Sequence, residues 1–139
     1  MTRTCKKLPL EGFVKANQES LQGLPCNSSL YIDSNERDDI LEIINHKKNQ
    51  TRWRIILIHI LKNVYNEHVY KREPHGLTAM KFGSSGNVRI YCKEYPSIYG
   101  KKIVMSHLYT NKDFQKASNK KIKYKLESIS QYEYTFENK

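Results

Sequence analysis

The chain has 139 residues, which suits one domain with a core of its own. Lys and Arg number 24 against 14 Asp and Glu, a formal charge of +10 at pH 7. Such an excess repels itself in a compact state and points to a polyanionic partner: nucleic acid first, an anionic membrane surface or an acidic protein next. A solubilising surface accounts for the charge equally well. Cys5, Cys26 and Cys92, odd in number and irregularly spaced with no CxxC pair, argue against a disulfide framework and for a reducing compartment. Leu8-Pro9-Leu10-Glu11 follows the basic N-terminus where a signal peptide would be apolar. The longest apolar stretch, Ile55 to Leu61, is broken by His59 and is too short for a bilayer. A cytoplasmic protein with no membrane partner is expected.

In chain order, residues 1–28 read as an arm on a domain spanning 29–139, with Gly23-Leu24-Pro25 as a turn. After Leu30-Tyr31-Ile32, Asp33 followed by Glu36 resembles a capping box, and Ile40, Leu41, Ile43 and Ile44 give the helix behind it an apolar face. A second helix is expected from Thr51 towards Tyr70, through Trp53, Ile56, Leu57, Ile60, Leu61 and Val64. Its many β-branched residues make a strand the rival, but the unbroken length favours helix. Beyond Pro74 and Gly76 the pattern turns to β. Strands are expected over 77–82, 88–93 and 101–109, joined by links too short for crossovers, hence an antiparallel meander. A last helix opens near Ser118 with Ile122, Leu126 and Ile129 on one face and Lys120, Lys121, Lys123 and Lys125 on the other. The aromatic tail Tyr132 to Phe136 packs back or meets a partner. The expected fold is α+β: a small antiparallel sheet of three to four strands, two N-terminal helices and a C-terminal helix, with the helices on one side.

No nucleotide-binding glycine loop, nucleophile elbow or HExxH is present. The histidines His46, His59, His68, His75 and His107 show no metal-ligand spacing, so neither metal nor cofactor is expected. His59, inside an apolar helix, reads as structural.

Strand alternation is more informative, because residues two apart share a face. Val88, Ile90 and Cys92 make an apolar set opposite Arg89, Tyr91 and Lys93, and Lys81 lies opposite Met80 and Phe82. Ile103, Met105, His107 and Tyr109 would share a face. A sheet face with Lys81, Arg89 and Tyr91, and with His107 or Tyr109 near its end, suits RNA. Lys and Arg bind phosphate, and tyrosines offer stacking platforms. Cleavage by a 2′-hydroxyl needs a base, an acid and cations for the phosphorane, and His107 can move the proton near neutral pH. A solvated basic face is the plain alternative.

The stretches Leu77 to Phe82, Asn87 to Cys92, Lys102 to Lys112 and Ser118 to Ile122 together resemble the RelE/HigB toxins, in particular the phage-derived HigB-like branch. His107, Arg89 and Lys112 fall on that pattern's histidine, strand arginine and following lysine, over roughly residues 30–132. Leu108, Tyr109, Asn111 and Phe82 depart from it, and residues 1–28 and the 94–100 loop exceed it. The resemblance implies a toxin of a toxin–antitoxin pair that cuts mRNA, commonly on the ribosome, and a cognate antitoxin, expected to be a helix-turn-helix protein, that masks the basic face. Lys81, Arg89, His107 and Lys112 would form the catalytic set, and Tyr91, Tyr109, Lys93, Lys120 and Lys121 would hold RNA. A gyrase inhibitor of the ParE type and a non-enzymatic nucleic-acid-binding protein are the alternatives.

Overall fold

The computed structural model describes residues 2–23, 27–83, 88–110 and 119–137, with the backbone alone for 119 and 120. Its strands are β1 (Thr2–Leu8), β2 (Ser29–Asp33), β3 (Tyr70–Arg72), β4 (Leu77–Phe82), β5 (Val88–Tyr95), β6 (Lys102–Tyr109) and β7 (Glu133–Glu137). Its helices are α1 (Glu11–Ala16), α2 (Gln18–Leu21), α3 (Arg37–Asn45), α4 (Gln50–Leu61) and α5 (Asn119–Ser130). The strands form one seven-stranded sheet in the order β3-β4-β5-β6-β2-β1-β7. It is mixed: β2 runs parallel to β6 and β7 parallel to β1, while the other neighbours are antiparallel.

This corrects the expected small antiparallel sheet of three to four strands. The N-terminal segment and the aromatic tail both add strands, and Tyr70–Arg72 adds another where helix was expected. That helix ends at Leu61 because Asn63 takes a left-handed φ of 57°. Asn63 N–H bonds to Ile60 O and Val64 N–H to His59 O, the double bond of a Schellman stop. The meander over β4, β5 and β6 forms as expected.

The helices do not share one side. Ile40 and Ile44 of α3, Ile56, Leu57, Ile60 and Leu61 of α4, and Leu21 of α2 pack on Leu30, Ile32, Met80, Phe82, Ile90, Cys92 and Met105. Leu126 and Ile129 of α5 cover the opposite face, over Leu77, Ala79, Tyr91 and Tyr109. A fully buried side chain of this size contributes about 1.5–3 kcal/mol by leaving water, so both layers are substantial. The aromatic tail packs back: Tyr134 and Phe136 lie on Cys5, Tyr31 and Val104. No described helix is long and apolar enough to cross a membrane.

One buried carboxylate joins the added strands to the rest. Asp33, at the end of β2, is fully buried. It accepts two bonds from the Arg3 guanidinium at 2.6 and 3.2 Å, one from the Tyr134 hydroxyl at 2.7 Å and one from Asn35 N–H at 2.8 Å. Those partners belong to β1, β7 and the turn into α3. The expected capping box is absent: helix α3 starts at Arg37, and the Glu36 side chain makes no cap bond.

Two substitutions test this frame. Asp33→Ala leaves Arg3 without its partner and is expected to lower stability by about 3–5 kcal/mol in urea unfolding, as removal of one member of a buried pair does. Gly100, at φ 123°, has no room for a side chain, since a Cβ there would lie 2.1 Å from the Asn27 carbonyl oxygen. Gly100→Ala is expected to cost about 1–3 kcal/mol in the same measurement.

Candidate functional site

The geometry starts from a mismatch in strand length. β2 and β6 run side by side with Ile32 opposite Met105, but β2 stops at Asp33 while β6 continues to Tyr109. The turn after β2 therefore folds over the free flank of β6. There the Glu36 carboxylate meets His107 Nδ1 at 2.5 Å and also accepts Leu108 N–H at 3.3 Å. A carboxylate only accepts, so Nδ1 carries the proton of this bond and Nε2 is the nitrogen left for a ligand.

The His107 and Glu36 side chains are 22% and 19% exposed, so the pair is partly withdrawn from water but reachable. The bond from His107 holds the Glu36 carboxyl below its ordinary range; His107's charge, the Leu108 amide and Lys125 add to this, and burial opposes it. The pair opens on a cleft of about 460 Å³ lined by Glu36, Asp39, Glu42, Ile43, His107, Leu108 and Thr110.

His107 reaches this face through an irregularity. Tyr91 pairs with His107, but its neighbour Cys92 pairs with Met105, so Ser106 is an extra residue in β6. Ile103 and Met105 consequently lie in the core beneath α3 and α4, while His107 and Tyr109 turn to the other side. The expectation that all four share a face is corrected by this bulge.

Beside the dyad the sheet sets out two rows. Lys81, Arg89 and Tyr109 are register partners across β4, β5 and β6, and Ala79, Tyr91 and His107 form the next row. Lys81, Arg89, Tyr91, Tyr109 and His107 thus lie on one face at one end of the sheet. Arg89 is 24% exposed, donates to the Tyr91 hydroxyl and has Glu73 Oε1 3.8 Å from Nη1. The Lys81 ammonium is pushed below the ordinary lysine range, first by burial and then by the positive charges of Arg89 and Lys71. The Arg52 guanidinium, which bonds Lys81 O at 2.8 Å and His68 O at 2.6 Å, fixes the end of β4 to α4.

Several expected roles are corrected. Tyr91 and Tyr109 are 1% and 7% exposed, their rings edge to face at 6.0 Å beneath α5, so neither offers a surface for a base. Tyr91 instead holds Arg89. Lys93 donates to the carbonyls of Ser130 and Tyr132 at 2.8 and 2.6 Å, neutralising the negative end of α5. Lys121 is exposed on α5, whereas Lys112 and the Lys120 side chain lie outside the described residues. His59 Nδ1 lies 2.9 Å from Ile55 O, a structural contact. Among the described residues no three His, Cys, Asp or Glu side chains are grouped as metal ligands.

Sequence reading missed Glu36 as a site residue. The only local signal, Asp33 followed three places on by Glu36, pointed to a cap, and the partner is 71 residues away. No protein-family model, curated protein or solved structure matches the chain.

The lowered Glu36 pKa makes a signed prediction. A depressed folded value stabilises the protein above the ordinary carboxyl pKa of 4.5, and that contribution is lost as pH falls through the folded value. In urea unfolding, the wild type is expected to exceed Glu36→Gln at pH 7, with the gap closing as pH drops below 4.5. A gap independent of pH would contradict the bond between the Glu36 carboxylate and His107.

Proposed function

We propose that the chain is a metal-independent endoribonuclease, the toxin of a toxin–antitoxin pair, which cuts translated mRNA in the cytoplasm. The observation that carries this reading is the Glu36–His107 dyad, set on the same sheet face and end as Arg89 and Lys81. A base, a means of orienting it and adjacent cations are what attack by a 2′-hydroxyl requires. The charge of +10 and the resemblance to RelE/HigB toxins support the same reading.

In the proposed reaction His107 Nε2 accepts the proton of a ribose 2′-hydroxyl. The 2′-oxygen bonds to the adjacent phosphorus, and the 5′-oxygen bond breaks. Arg89 stabilises the charge of the phosphorane, while Lys81 holds a neighbouring phosphate and Lys112 supplies a further cation. The proton returns from the imidazolium to the departing 5′-oxygen, so the products are a 2′,3′-cyclic phosphate and a 5′-hydroxyl. Glu36 stabilises the imidazolium between these steps and keeps the ring in the tautomer that exposes Nε2. Lys121, on the outer side of α5, extends the positive surface along the RNA. The antitoxin, a helix-turn-helix protein, covers this end of the sheet, and the ribosome presents the mRNA to it.

The test uses purified chain and a labelled RNA in excess EDTA. Cleavage is expected to leave 5′-hydroxyl ends and to stop when the scissile ribose is 2′-deoxy. His107→Ala is expected to lower the rate by about 10²–10⁴-fold, the usual contribution of a general acid–base group. Arg89→Ala should also abolish growth arrest and codon-positioned cuts when the chain is induced in bacteria. Arrest with DNA damage and intact mRNA would point instead to a gyrase inhibitor, and no arrest to a binding protein without a toxin role.

A further inference from the structure

A second cleft, of about 510 Å³, is lined by Asn63, Tyr65, Arg72, Thr78, Glu94 and Lys101. Lys101 stands just before β6 and His107 near the far end of that strand, so the two clefts lie at opposite ends of the sheet. The volume suits a small-molecule site.

The acceptors in this cleft are already engaged. Glu94 takes the Tyr65 hydroxyl at 2.8 Å and the Tyr70 hydroxyl at 2.5 Å, and lies 3.3 Å from Lys101 Nζ. Tyr70 in turn accepts from Thr78 at 2.8 Å. Lys101 donates to Asn63 Oδ1 and to the Tyr65 hydroxyl, both at 2.7 Å. Glu73 also lines the cleft, but its Oε1 is buried away from solvent.

The donors are a different matter. Tyr70 stacks on the Tyr65 ring at 5.6 Å, with 13° between the planes, and the Arg72 guanidinium lies 4.3 Å from the centroid of the same ring. Tyr70 covers one face of Tyr65 and Arg72 the other. Arg72 is exposed and, among the described residues, makes no hydrogen bond or ion pair. A guanidinium held by its face keeps its N–H edge for an acceptor. Lysine only donates, so Asn63 turns its oxygen to Lys101 and leaves its amide N–H groups unspent among the described residues.

What the cleft still calls for is an oxyanion, met by donors from two walls. A planar carboxylate is satisfied by the arginine fork alone, whereas a phosphate monoester carries a third oxygen for Asn63. We propose that this cleft binds a small phosphate monoester of nucleotide size, with Arg72 and Asn63 donating to its phosphate oxygens. Lys101, its charge balanced by Glu94, positions Asn63. The inference stands apart from the nuclease reading.

The experiment is calorimetry of the full chain with AMP and, separately, with adenosine. AMP is expected to bind and adenosine not to, and Arg72→Ala to weaken AMP by about 10–100-fold, as loss of a charged hydrogen-bond donor does. Asn63→Asp keeps the oxygen that Lys101 holds and tolerates the left-handed backbone, but replaces the N–H donors with a repelling oxygen. It is expected to weaken AMP by at least about tenfold. Should that variant not fold, Arg72→Lys keeps the charge without the fork and is expected to give a smaller loss than Arg72→Ala. Inorganic phosphate should displace AMP where equal acetate does not. No binding of AMP, unchanged binding in folded Arg72→Ala, or displacement by acetate would each overturn the proposal. Binding kept in Arg72→Ala but lost in Lys81→Ala would move the ligand to the other end of the sheet and overturn it too.

Discussion

The rest of the fold hangs on the burial of a single carboxylate. Asp33 has no exposure to solvent, and an ionised group there is tolerable only if its oxygens are met by donors. The donors come from three separate parts of the chain: Arg3 near the start, Asn35 just downstream and Tyr134 near the end. Meeting that requirement places β1 and β7 beyond β2, and it draws the chain after β2 into a tight turn. Glu36 arrives at His107 as the continuation of that turn. The constraint that widens the sheet is therefore the one that assembles the dyad.

Lateral position in the sheet then decides chemistry. Lys93 and Arg89 alternate on one strand and point the same way, yet they meet different fates. Lys93 faces the end of α5 and is consumed by its carbonyls, while Arg89, four residues earlier, donates to the Tyr91 hydroxyl beside Glu73. Tyr91 and Tyr109 lie under α5 and become core. A side chain's face can be read from strand parity, but what covers that face depends on where the last helix lands.

Much of the site was legible for this reason and part was not. Strict alternation in 88–93 located Arg89 and Tyr91 opposite Ile90 and Cys92, and the period of Ile122, Leu126 and Ile129 gave the buried side of α5. The bulge at Ser106 was hidden, because Ile103, Met105, His107 and Tyr109 alternate as an unbroken strand would. Asp33 and Glu36 were read as a local cap because long-range partners leave no trace at short spacing. Two local signals do point to the observed fold. Asn63 is a residue suited to a left-handed helix stop, and Tyr132, Tyr134 and Phe136 keep the period of a strand.

The pairing of β7 with β1 carries a consequence for how the molecule forms. Cys5 donates to the Thr135 carbonyl across 130 residues of chain, so the outermost pairing joins segments that are among the most distant in sequence. Contacts of such high order form late, after the loop they close has been organised by the rest of the domain. During synthesis β1 can pair with β2 early, but its other edge stays open until the last strand is made. An open edge invites pairing with another chain. The flanking charges of Lys6 and Lys7 along that edge are the kind of repulsive guard that keeps nascent copies apart while they wait.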